Sequence, residues 1–231
     1  MSYLEPLFWL ALLKIIWINV LLSGDNAVVI AMACRSLPDR MRRTGMVLGA
    51  AVAVGMRIVF TAIIAVLLGL PWLRVIGALA LMYIAVDLVV PEAEGEEGGV
   101  TAHDSLWRAV GTIAVADLVM SLDNVVAIAA VADGNWVLII IGLVISIPMI
   151  IAGAALIMNL LSRFPFLVWA GAGLLGWVAG EMFLSDIKVV EFLGEASVHS
   201  LEYVAAAAGA ALVLLIGWTM TRLRRPSQPH A

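Results

Sequence analysis

Charge is scarce in this chain: Asp, Glu, Lys and Arg supply 13% of its 231 residues, about half the share found in an average soluble domain. Together with 64% hydrophobic residues and a mean hydropathy of +1.09, that scarcity excludes an ordinary soluble fold. Cysteine is nearly absent. The single Cys34 cannot close an internal disulfide, so no disulfide framework is available. Basic charge is in the minority, and a net charge of −4 with a pI near 5.3 leaves no basic stripe to neutralise phosphates, which excludes a nucleic-acid partner. The three histidines, His103, His199 and His230, fall outside the apolar runs. Enzyme signatures are missing as well: the chain holds no phosphate-binding glycine loop, no G-x-S-x-G and no H-E-x-x-H, and it is not expected to be an enzyme.

Long apolar runs are what the sequence has in excess. A membrane span needs about 20 mostly apolar residues to cross a hydrocarbon core of about 30 Å. The runs predict an all-α polytopic membrane protein, a single membrane domain over 1–231 whose partner is the lipid bilayer. Seven transmembrane helices are expected at roughly 7–34, 44–69, 72–90, 107–132, 136–160, 165–184 and 201–221. The opening MSYLEPLFWL has no basic segment and its apolar run continues past residue 20, so it reads as the first span and not as a cleaved signal. Seven spans place the termini on opposite sides. Nine basic residues, Arg35, Arg40, Arg42, Arg43, Arg108, Arg163, Arg222, Arg224 and Arg225, then share one side, while Arg74, Lys188 and Lys14 belong to the other. The positive-inside rule makes this a multi-pass protein of the cell membrane with its N-terminus outside and its C-terminus in the cytoplasm.

One segment recurs. VLLSGDNAVVIAMA (20–33) aligns without gaps to LVMSLDNVVAIAAV (118–131), an offset of 98 residues that matches Asp25 to Asp123 and Asn26 to Asn124. Three spans separate the copies, so the two run through the membrane in opposite directions. The expected architecture is two inverted three-helix repeats, about 7–90 and 107–184, plus a C-terminal helix. An acidic cytoplasmic linker over 91–106 joins the repeats, and an external segment over 185–200 suits a short interfacial helix. Secondary transporters are built this way, with the binding site near the midplane at the repeat interface.

Asp25, Asp117, Asp123, Asp87, Glu181 and Arg57 fall within predicted spans, where an aspartate or arginine costs roughly 2.5–3.5 kcal/mol at a helix centre on insertion scales. Helical spacing puts Asp117, Ser121 and Asn124 on one face, and Asn19, Ser23 and Asn26 on the equivalent face of the first copy. Packed face to face, the two helices would bring two or three carboxylates and two carboxamides toward one point. Such oxygen donors suit hard cations, Mn²⁺, Mg²⁺ and Ca²⁺. With no histidine in a span, zinc and copper lack their preferred ligands. Met120, one turn before Asp123, is a further candidate ligand. Gly24 allows local unwinding beside Asp25, and Ser146 with Pro148 marks a kink in the fifth span. Arg57 should face a carboxylate, either as a tethered counter-charge for an empty acidic site or as a structural ion pair. Glu181 is a candidate proton carrier or accessory ligand, and Asp87 sits near a span end.

These residues carry a resemblance. LLSGDNAVVIAMACRSLP, VADLVMSLDNVVAIAAVA and IGLVISIPMIIAGAALIMNLLSRFP resemble the TerC family of membrane proteins, in particular its YjbE-like branch. The resemblance implies a seven-helix protein of the LysE transporter superfamily that handles Mn²⁺ as its transported ion, as an exporter, with Asp25, Asn26, Asp117, Asp123 and Asn124 at the metal site. Many TerC proteins have a glutamate where this chain has Asn19, so the site here would carry one negative charge fewer. Three alternatives stay open: a membrane partner that hands metal to secreted enzymes, using the 185–200 segment as its interaction surface; transport of another hard cation such as Ca²⁺ or Mg²⁺; and, weakest, an intramembrane hydrolase. The oligomeric state is not legible.

Overall fold

The computed structural model of this chain describes residues 6–21, 24–67, 70–90, 102–132 and 135–223, setting aside the side chains of residues 6, 7, 19–21, 64–67, 102–104, 123 and 129. Among the described residues the chain is all helical. The helices are α1 (Pro6–Leu21), α2 (Gly24–Arg35), α3 (Asp39–Leu67), α4 (Leu73–Val89), α5 (Ala102–Ala132), α6 (Trp136–Arg163), α7 (Phe166–Leu184), α8 (Ile187–Leu193) and α9 (Glu195–Leu223). Proline marks several junctions. Pro38 precedes α3, Pro71 precedes α4 and Pro165 stands between α6 and α7, positions where a missing N–H breaks no helical hydrogen bond. Pro148 is different, because α6 runs through it; two residues earlier the Ser146 hydroxyl donates to the Leu143 carbonyl at 2.7 Å.

Five of these helices, α3, α5, α6, α7 and α9, are long and apolar enough to cross a membrane. The 17 residues of α4 reach about 25 Å at 1.5 Å per residue, and α1 has 16. Several boundaries differ from the apolar runs: α3 starts at Asp39 and not near 44, and α5 at Ala102 and not near 107. The run over 7–34 is described as α1 and α2, and residues 22 and 23 between them lie outside the described residues. The last helix starts at Glu195 and not near 201, because Glu195, Ser197, His199 and Ser200 lower the hydropathy of its first turns without breaking its helix.

The chain divides into two compact units. The first is built from α1, α2, α3, α5 and α6, so it draws on both copies of the repeated segment. In it α3 packs on α5, α6 packs on α1 and α2, and α2 also meets α5. Phe8, Leu12, Ile15, Val54, Ile128, Leu138 and Leu143 form one buried cluster. Two glycines set the closest approaches. A side-chain carbon added at Gly49 would meet Ile113 Cδ1 at 2.5 Å, and one added at Gly142 would meet Ile15 Cγ2 at 2.5 Å. Ile15 and Ile113 are 98 residues apart, the offset of the repeat.

The second unit comprises α4, α7, α8 and α9. Here α7 and α9 touch backbone to backbone: a carbon added at Gly176 would meet the Gly209 carbonyl oxygen at 2.7 Å, and Gly180 lies against Ala205. This is the small-residue packing through which apolar helices associate where no hydrophobic force distinguishes neighbour from lipid. Asp186, 1% exposed, ties the unit together at one end. Its Oδ1 accepts from the Trp72 N–H at 3.2 Å and the Lys188 N–H at 2.9 Å, and its Oδ2 from the Arg74 N–H at 3.2 Å. The Arg74 side chain adds a bond from Nη1 to the Ser185 carbonyl at 2.6 Å. That carboxylate holds Trp72 in a left-handed conformation, φ 66°, which a bulky side chain rarely adopts.

Candidate functional site

In the first unit α3 contributes Arg57, and α5 contributes Asp117, Ser121 and Asn124. Spacings of four and three residues stack the α5 side chains on one face, and all four residues are buried. Arg57 meets its carboxylate here: Nη2 donates to Asp117 Oδ1 in an ion pair, and Nε donates to Ser121 Oγ at 3.0 Å. Ser121 Oγ in turn donates to Asp117 Oδ2 at 3.1 Å, so both oxygens of Asp117 are engaged. Thr61, one turn along α3, donates from its hydroxyl to the Arg57 carbonyl at 2.7 Å. A buried charge is tolerated only when paired and hydrogen-bonded, and this one is both.

The α2 side is less complete. Asp25 lies in the first turn of α2, where the partial positive charge of a helix N-terminus favours a carboxylate. Its Oδ1 accepts from the Asn26 N–H at 2.9 Å, and it lies within Coulombic range of both Arg57 and Asp117. Asn26 is 4% exposed, yet among the described residues neither Oδ1 nor Nδ2 of its amide has a hydrogen-bond partner. An orphaned buried amide costs about 1–3 kcal/mol. It borders a cavity of about 10 Å³ lined by Asn26, Val29, Ile30, Ile113 and Asp117, which has room for about one water molecule. A guest there would find a carboxamide with free valence and, beside it, a carboxylate.

The other candidate residues sort as follows. Met120 is buried on α5, and Asn124 is buried with polar contacts of its own. The side chains of Asn19 and Asp123 lie outside the described residues, as does the whole of Ser23. Among the described residues no three of His, Cys, Asp and Glu gather as a metal cage; the described donors are Asp25, Asp117 and amide oxygens, a set that would leave part of a cation's coordination to water. Asp87 is exposed on α4. Glu181 belongs to the second unit, where its Oε1 accepts from Trp177 Nε1 at 2.6 Å. With Glu195, His199 and Glu202 it lines a cavity of about 300 Å³. The i, i+4 spacing of Trp177 and Glu181 was a legible signal for that bond. Asp186 gave no such signal, since two of its donors come from more than 100 residues away.

Comparison with known proteins places these features among membrane proteins. Residues 4–225 match the family described as integral membrane protein TerC family. The chain is 42% identical over 192 residues to the uncharacterized membrane protein YjbE of Bacillus subtilis strain 168, covering 83% of this chain and 87% of that protein. The uncharacterized membrane protein YceF of the same organism is 28% identical over 186 residues, covering 77% and 72% respectively. The UPF0053 inner membrane protein YgdQ of Escherichia coli K12 is 26% identical over 177 residues, covering 70% and 74%. No solved structure matches this chain.

Proposed function

Because this chain belongs to the TerC family of integral membrane proteins, we propose that it is a transporter of a hard divalent cation, with Mn²⁺ as the cargo and export from the cytoplasm as the direction. The observation that carries this reading is the Asn26 amide: buried, without a partner, and set with Asp117 on the wall of one small cavity. Carboxylate and amide oxygens are the ligands hard cations take. Asp25, Asn26, Asp117, Asp123 and Asn124 form the site in this proposal. The cavity is too small for a hydrated ion, so the cargo loses water on entry and the helices around it must part to admit it, as alternating access requires.

Seven spans, two inverted repeats and an external N-terminus complete the reading. Ile15 and Ile113, matched at the offset of 98, each pack against a glycine of a neighbouring helix, Gly142 and Gly49, and this supports the repeat. The basic residues gathered on one side support the orientation. Flux assays in liposomes on Asp25→Asn and Asp123→Asn test the proposal. Mn²⁺ transport should fall to background in both, and transport that survives both changes sinks it. Competition by Ca²⁺ and Mg²⁺ in the same assay ranks the cargo.

A further inference from the structure

The two halves of the candidate site are not equivalent. At the repeat's offset of 98 residues, Arg57 of α3 falls opposite Ala155 of α6. An apolar side chain therefore serves at the matched position, and helix packing alone does not call for an arginine.

Resting on the cation-transport reading above, we infer that Arg57 is a resident counter-cation that occupies Asp117 when no ion is bound and that the cargo must displace. Three observations carry it. Both Asp117 oxygens are already taken, Oδ1 by the guanidinium and Oδ2 by Ser121, whose hydroxyl also accepts from Arg57 Nε at 3.0 Å. The same Asp117 lines the cavity on which the Asn26 amide stands without a partner, so one wall of the site is satisfied and the other is not. The Arg57 side chain is 1% exposed, and a dication arriving at Asp117 is repelled by this buried positive charge while it stays in place. The ion binds Asp117 as the guanidinium gives way.

Such an exchange has a use. Without Arg57, an emptied site would hold bare carboxylates away from water, and the ion would be hard to release. With it, the empty site keeps a countercharge of its own, and the cargo is held loosely enough to leave.

The test is the Mn²⁺ dissociation constant of the full-length protein in lipid nanodiscs, measured calorimetrically for the natural protein, Arg57→Lys and Arg57→Gln. Arg57→Gln should bind Mn²⁺ at least about tenfold more tightly, because the competing charge is gone. Its melting temperature should become strongly dependent on added MnCl₂. Arg57→Lys keeps the charge but cannot grip Asp117 and Ser121 with one planar fork, and should tighten binding about threefold. Folded Arg57→Gln or Arg57→Lys with unchanged or weaker Mn²⁺ binding overturns the inference, and Arg57→Lys decides alone if Arg57→Gln does not fold. A natural protein that binds no Mn²⁺ removes the cation reading itself, a result distinguishable from either variant's behaviour.

Discussion

In the unit of α1, α2, α3, α5 and α6, the described polar side chains that are buried include Asn26, Arg57, Thr61, Asp117, Ser121, Asn124 and Ser146; in the unit of α4, α7, α8 and α9 the one such side chain is Asp186. Their partners differ in kind. Asp186 is bound by backbone N–H groups of Trp72, Arg74 and Lys188, an arrangement that fixes chain segments and has nothing left to give a ligand. Asp117 is bound by side chains, Arg57 and Ser121, which rotate, and it stands beside an amide with no partner among the described residues. Side-chain partners can exchange for an ion, whereas backbone partners cannot leave without unfolding the helix ends that carry them. Buried polarity therefore marks a scaffold in one unit and the candidate site in the other.

The largest test of that contrast is Asp117→Ala. It removes the carboxylate from a guanidinium that is almost wholly buried, and breaking a buried pair from one side costs about 3–5 kcal/mol. The purified variant should melt well below the natural protein and should carry no Mn²⁺ in liposomes. Adding Arg57→Gln to it should recover most of the lost stability, since both charges are then gone, but none of the transport. Recovery of transport would show that Asp117 serves the fold alone.

Asp186→Ala is the matching test of the scaffold. It strips the acceptor from three backbone donors and should cost about 2–3 kcal/mol, read as a lower melting temperature, while the Mn²⁺ dissociation constant stays unchanged. A large loss of Mn²⁺ affinity in a folded Asp186→Ala protein would break the contrast between the units. This residue also shows where the sequence falls silent. Helices were legible because apolar runs of sufficient length have little alternative in a membrane, and Asp117 with Ser121 were legible as a seam because helical spacing alone aligns them. That Arg57 needs a carboxylate followed from its depth; that the carboxylate is Asp117, 60 residues on, depends on how α3 packs against α5. Asp186 reads as one more loop aspartate between two helices, because its value comes from Trp72 and Arg74, far away in the chain.

Asn26→Leu should have the smallest effect on the fold and sharpens the contrast most. Leucine has the branching of asparagine on a somewhat larger side chain, and the Asn26 amide makes no hydrogen bond among the described residues. Replacing an orphaned buried polar group by an apolar one of the same shape is neutral or stabilising, here by up to about 1 kcal/mol. The melting temperature without metal should stay the same or rise slightly. Mn²⁺ binding should nevertheless weaken by at least about tenfold, the loss of one oxygen ligand being worth roughly 1.4 kcal/mol or more, and the stabilisation conferred by MnCl₂ should shrink with it. A folding defect with unchanged Mn²⁺ affinity would mean that the amide is spent on the protein's own structure. Opposite signs for stability and binding at one residue would instead identify Asn26 as a group kept at a cost to the empty protein for the sake of the ion it receives.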